Sequence, residues 1–131
     1  GTFDPSAWLC VGAVIGWLGQ RVPGGWMELR ARNHALAVQA RRLICERLGV
    51  EPPCPESLLG AMATIPLPAR FQASPQAGKI DVEQLRLYDE FGIEVPFNRI
   101  GPKATRCFRI SAQIYNTPAE YEYLAGALAA L

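Results

Sequence analysis

Histidine and lysine are scarce in this 131-residue chain: His34 stands alone, and Lys79 and Lys103 are the two lysines among 13 basic residues. His34 falls in mid-helix, where a partly buried or surface helix residue is expected, and no second anchor supports a Ser-His-Asp or Cys-His pair. Both lysines lie in or beside loops, and neither is flanked like a desolvated Schiff-base lysine. Cys10, Cys45, Cys54 and Cys107 show no C-x-x-C spacing and no accompanying histidines, which argues against a metal site. There is no Gly-rich phosphate loop; Gly24-Gly25 alone is turn chemistry. No apolar run reaches the roughly 18–20 residues that cross a bilayer. Ala7 to Leu18 is shorter, is interrupted by Gly12 and Gly16, and follows Asp4 rather than a basic leader, so neither a membrane span nor a signal peptide is expected.

What is present points to one compact α/β domain. Half of the residues are apolar and 19% are charged, which disfavours disorder. The arginines are spread along the chain and balanced by acids to a net charge of +1, so no clustered basic face for nucleic acid emerges. Cys10 and Cys45 sit in apolar helical patterns as small hydrophobes, and a cytoplasmic, reducing setting is expected. The chain opens on Gly1-Thr2 without methionine, as a fragment of a longer protein would.

Asp4-Pro5 predicts a helix start, with the helix running to about Leu18 and stopping at Gly19. This helix is apolar nearly all round (Trp8, Leu9, Val11, Val14, Ile15, Trp17), which predicts burial against a further domain or a second subunit. A turn at Pro23-Gly24-Gly25 precedes a long amphipathic helix from about Trp26 to Leu48, with Leu29, Leu36, Ala40, Leu43 and Ile44 on one stripe. Leu59 to Pro66 is expected as a buried strand and Pro68 to Gly78 as a low-order connector. Asp81 starts another helix that ends near Phe91-Gly92. Two strands follow, Ile93 to Ile100 and Cys107 to Ile114, joined by the loop Gly101 to Arg106. Thr117-Pro118-Ala119-Glu120 is a capping box that opens a final helix from Pro118 to about Ala130. The expected architecture is a two-layer α/β sandwich (α+β): a small, mostly antiparallel sheet of about three strands against helices, preceded by a long interdomain helix. Residues 1–22 would form that helix and residues 23–131 the small domain.

The most informative stretch runs from Cys107 to Pro118. Arg109 on a short, rigid strand suits the planar, two-pronged grip that a guanidinium gives a carboxylate. With Ser111, Tyr115, Asn116 and Thr117 it forms the pattern R-x-S-x-x-x-Y-N-T. That pattern resembles the small C-terminal domain of class V aminotransferase-like, fold type I enzymes, with the isopenicillin N epimerase-like branch nearest. Arg30 to Leu36 and Leu87 to Pro96 look similar to the same branch.

The resemblance implies several things. The parent protein would be a homodimeric pyridoxal-phosphate enzyme acting on an amino acid by epimerisation, C–S lysis or transamination. Arg109 would bind the substrate's α-carboxylate, and Thr2 would contact the cofactor phosphate in the neighbouring subunit. Phe3 stands where many relatives carry arginine. The Schiff-base lysine and the other cofactor-binding groups would belong to a large domain upstream, leaving this chain inert alone. The loop before the arginine strand has no cysteine of the kind that desulfurases use, so persulfide chemistry is disfavoured. Cys107 shares a strand face with Arg109 by alternation and is expected to pack. The competing reading is a free-standing α/β interaction domain that docks a partner through its apolar first helix.

Overall fold

The computed structural model describes residues 3–73, 76–77 and 80–131. Where one first helix was expected, two short segments occur, α1 (Ser6–Leu9) and α2 (Val11–Gly19). Asp4 does anchor the start, its carboxylate accepting the Ser6 N–H at 2.9 Å and the Ser6 hydroxyl at 2.6 Å. The break falls at Cys10, whose ψ of −14° departs from regular helix geometry. The long preceding helix is thus a correction to the sequence expectation. Within this chain neither segment buries any residue.

Helix α3 (Gly25–Leu48) follows, buried along Leu29, Ala37, Ala40, Ile44 and Leu48. It stops at Gly49, whose φ of 64° is the left-handed geometry that glycine adopts without a Cβ penalty. After a short 3-10 turn at Glu56–Leu58 comes strand β1 (Met62–Pro66), three residues shorter at its start than expected. The described part of the connector carries the one-turn helix α4 (Ala69–Gln72) and strand β2 (Gln76–Ala77), which pairs antiparallel with β3 (Ile80–Asp81) just beyond it.

Helix α5 (Val82–Phe91) begins as expected. The Asp81 side chain accepts the N–H groups of Glu83 and Gln84, and Gly92 closes the helix at φ 65°. Strands β4 (Phe97–Ile100) and β5 (Thr105–Ser111) form a hairpin around residues 101–104, and α6 (Pro118–Ala130) ends the fold. Both strands are displaced from expectation: β4 starts four residues later than Ile93, and β5 begins at Thr105 rather than Cys107. The cause of the first shift is Pro96, which has no N–H to offer a ladder.

The main sheet has order β1-β5-β4, antiparallel throughout. Its core face carries Ala63 and Ile65 opposite Ile110 and Phe108, packed against Ile44 and Leu48 of α3 and Leu124 and Leu128 of α6. Each such fully buried large side chain contributes about 1.5–3 kcal/mol. Phe97 stacks obliquely on Phe108 with ring centroids 5.8 Å apart. The α/β sandwich with an antiparallel three-stranded sheet is the expected fold class. The opposite face of the sheet, bearing Met62, Thr64, Arg109 and Ser111, is only partly covered or open.

Candidate carboxylate-binding site

Strand alternation sorts the basic residues of β5 to opposite fates. Arg106 shares the core face with Phe108 and Ile110 and is 1% exposed. Its Nε donates to Asp81 Oδ2 at 2.7 Å, and its Nη2 donates to both Asp81 and Glu83. Its Nη1 bonds the Phe71 carbonyl. The Gln72 side chain completes the clamp: its Oε1 accepts the Arg106 N–H at 2.8 Å and its Nε2 donates to the Arg106 carbonyl at 3.0 Å. This cluster ties β5 to α4 and to the first turn of α5. Sequence reasoning missed it by leaving Arg106 in the loop. A strand read from Thr105 would have put Arg106 in register with Phe108 and Ile110.

Arg109 faces the other way and is exposed. Among the described residues no side chain hydrogen-bonds or ion-pairs its guanidinium. Its backbone N–H donates to the Pro96 carbonyl at 3.2 Å, the last rung on the β4 side. Pro96 can return no bond to the Arg109 carbonyl, so residues 92–96 part from β5. Between them and α6 lies a groove of ≈ 510 Å³ lined by Glu94, Val95, Arg109, Ser111, Asn116 and Tyr123, among others.

The remaining motif residues build the groove's end. Tyr121 donates its hydroxyl to the Ser111 carbonyl at 2.7 Å. Gln113 and Asn116 lock a turn, with Gln113 N–H to Asn116 Oδ1 at 3.0 Å and Asn116 N–H to the Gln113 carbonyl at 2.9 Å. Asn33 of α3 reaches this turn through Gln113 Oε1 at 2.9 Å. Glu120 accepts the Thr117 N–H at 2.9 Å and the Asn116 side chain at 3.2 Å, as a capping box predicts. Tyr115 does not join the groove lining and is 75% exposed.

Cys107 is buried, as expected, with its Sγ near the Thr105 carbonyl at 3.4 Å. Burial pushes its thiol up, the opposite of what a nucleophilic thiolate needs. His34 contacts the Gly60 carbonyl at 3.2 Å and ties α3 to the segment before β1, a structural role. Thr2 and Lys79 lie outside the described residues. Lys103, in the exposed β4–β5 turn, does not line this groove. No helix among the described residues is long and apolar enough to cross a membrane.

Fold and site together define a small α/β domain whose exposed Arg109 guanidinium, on the open side of the sheet, has no partner among the described residues. No family model matches the chain. It is 31% identical over 137 residues to a probable chloroplastic L-cysteine desulfhydrase of Arabidopsis thaliana, covering 98% of this chain and 28% of that protein. It is 30% identical over 144 residues to putative L-cysteine desulfhydrase 1 of Oryza sativa subsp. japonica, covering 98% and 29%. It is 35% identical over 136 residues to isopenicillin N epimerase of Streptomyces clavuligerus, covering 100% and 30%. The chain thus spans under a third of the length of these relatives. It is related, over that portion, to class V aminotransferase-like enzymes that include isopenicillin N epimerase, as its motif resemblance implied.

Proposed function

We propose that this chain is the small-domain part of a pyridoxal-phosphate enzyme that acts on an amino acid, with Arg109 as the anchor for the substrate's α-carboxylate. The observation that carries this is Arg109 itself: a cation on a rigid strand, exposed, lining a groove and without a partner among the described residues. A bidentate guanidinium both attracts and orients a carboxylate, and orientation at Cα decides which bond is broken. The cofactor, held by other parts of the protein, supplies the sink for charge that develops at Cα. This chain's share is to hold the amino acid at its anionic end. The names of the relatives favour C–S bond cleavage of a cysteine-like amino acid or epimerisation, with transamination the third outcome. Residues 1–22 would serve as the interdomain helix and 23–131 as the small domain, in a cytoplasmic homodimer. Thr2 would lie against the cofactor phosphate of the neighbouring subunit.

The test is binding of the amino-acid substrate to the full enzyme carrying Arg109→Ala. Affinity should fall sharply, whereas unchanged affinity removes Arg109 from the site. The exposed α1–α2 surface supports the second reading, a free-standing interaction domain, which predicts no response of this chain to amino acids at all.

A further inference from the structure

Thr64 lies directly across the sheet from Arg109 in the β1–β5 ladder. The type of pair can be read from its neighbours. Ala112 N–H donates to the Ala61 carbonyl at 2.7 Å, and Leu67 N–H donates to the Arg106 carbonyl at 2.9 Å. Even-numbered residues of β5 therefore turn their backbone groups to β1, and Arg109 turns its own to β4. Thr64 and Arg109 form a non-hydrogen-bonded pair, the arrangement in which Cα atoms approach to about 4.5 Å and side chains lie nearest. Ser111, two residues beyond Arg109, projects from the same face and is exposed.

These two hydroxyls share a property with the Arg109 guanidinium on the same sheet face. Neither the Thr64 nor the Ser111 hydroxyl has a hydrogen-bond partner among the described residues. Thr64 is half-buried in a strand whose neighbours, Met62, Ala63 and Ile65, are apolar. Valine would fill that position with the same shape and no polar group to satisfy. A carboxylate has about four lone-pair sites, and a bidentate arginine occupies two of them. Thr64, across the ladder and outside the groove lining, and Ser111, further along β5 and within it, carry hydroxyls on the same sheet face that can take the others.

We propose that Thr64 and Ser111 are substrate-binding residues that donate to the same carboxylate as Arg109, making a three-donor seat on the open sheet face. The proposal rests on the carboxylate-anchor reading and deepens it. Such a seat selects a planar, two-oxygen anion. A primary carboxamide offers one oxygen and turns an NH2 group toward donors, so it is excluded.

The experiment is a residue-resolved NMR titration of the 131-residue chain with sodium acetate at constant ionic strength, with acetamide as the neutral control. The probes are the Arg109 Nε–H and the backbone amides of residues 64 and 111. Acetate should shift all three probes and acetamide none. Thr64→Val, which keeps shape and strand propensity, and Ser111→Ala should each weaken acetate binding about three- to tenfold. Retained dispersion of the amide spectrum reports that both variants fold. If both variants bind acetate as tightly as the parent while Arg109→Ala abolishes binding, the three-donor seat is wrong and the anchor stands. If acetate leaves the Arg109 Nε–H of the parent chain unmoved, both fall together.

Discussion

Arg106 and Asp81 are joined by a two-pronged ion pair sealed inside the domain, with the guanidinium 1% and the carboxylate side chain 8% exposed. Three residues further along the same strand, Arg109 stands open. The pair is costly to desolvate, and its net worth against an apolar replacement is small. Removing one partner is another matter, since it strands a buried charge. Arg106→Ala would leave Asp81 and Glu83 close together without that cation. Its unfolding free energy, measured by urea denaturation, should fall by about 3–5 kcal/mol, a large share of a small domain's stability. A loss under about 1 kcal/mol would mean that water reaches the cluster.

Arg109→Ala should do the reverse. The side chain has no partner to lose among the described residues, so stability should change by no more than about 0.5 kcal/mol. Binding of the amino-acid substrate by the full enzyme should weaken by about 2–4 kcal/mol, the scale of a lost charge-assisted bidentate contact. Arg109→Lys should recover only part of this, because an ammonium cannot make the two-pronged contact. Calorimetric titration of the amino acid checks binding, and a thermal melt of the same samples checks that the fold is intact.

Trp8 and Leu9 are 72% and 78% exposed, and Val14, Ile15 and Trp17 lie open beside them. Large apolar side chains exposed along two successive helical segments drive association when no partner covers them. The isolated chain should therefore self-associate in sedimentation velocity experiments. The double substitution Trp8→Ser/Leu9→Ser should raise the dissociation constant at least tenfold, an effect of about 1.4 kcal/mol. A strict monomer at high concentration counts against this face as an interface.

Much of this architecture is legible in the residues. Asp81 and Thr117 marked helix starts, Gly49 and Gly92 marked helix stops, and apolar periodicity marked α3. The strands were harder. Pro96 lies within an apolar-rich run that reads as strand, yet its missing N–H ends the ladder, and only the pairing partner reveals that. Arg106 was hidden for a related reason: its carboxylates lie 25 and 23 positions earlier, and local pattern carries no sign of contacts at that separation. Arg109 was visible because its motif is local. Thr64 was not connected with Arg109 and Ser111, since it meets Arg109 only through sheet register.

The buried thiols set how stability responds to alkali. Burial pushes up the thiols of Cys107 and Cys45, with the nearby Arg41 partly opposing it at Cys45. Burial also raises the Tyr121 phenol, helped by Glu120 and Tyr115. In the unfolded chain the cysteines ionise near about pH 8.5 and the tyrosine near about 10. Above the first of these values the unfolded state binds fewer protons than the folded state, so stability declines as pH rises. Each thiol's contribution is whole below about pH 8.5 and is lost as pH climbs toward its raised folded value, at up to about 1.4 kcal/mol per pH unit. The urea midpoint should therefore drop between pH 8 and pH 10, and Cys45→Ala/Cys107→Ala should flatten the drop despite lowering stability at neutral pH. Iodoacetamide should label exposed Cys10 well before Cys45 or Cys107 in the folded chain. A midpoint that holds steady across that range, or fast labelling of Cys107, would show that solvent reaches its thiol in the folded chain.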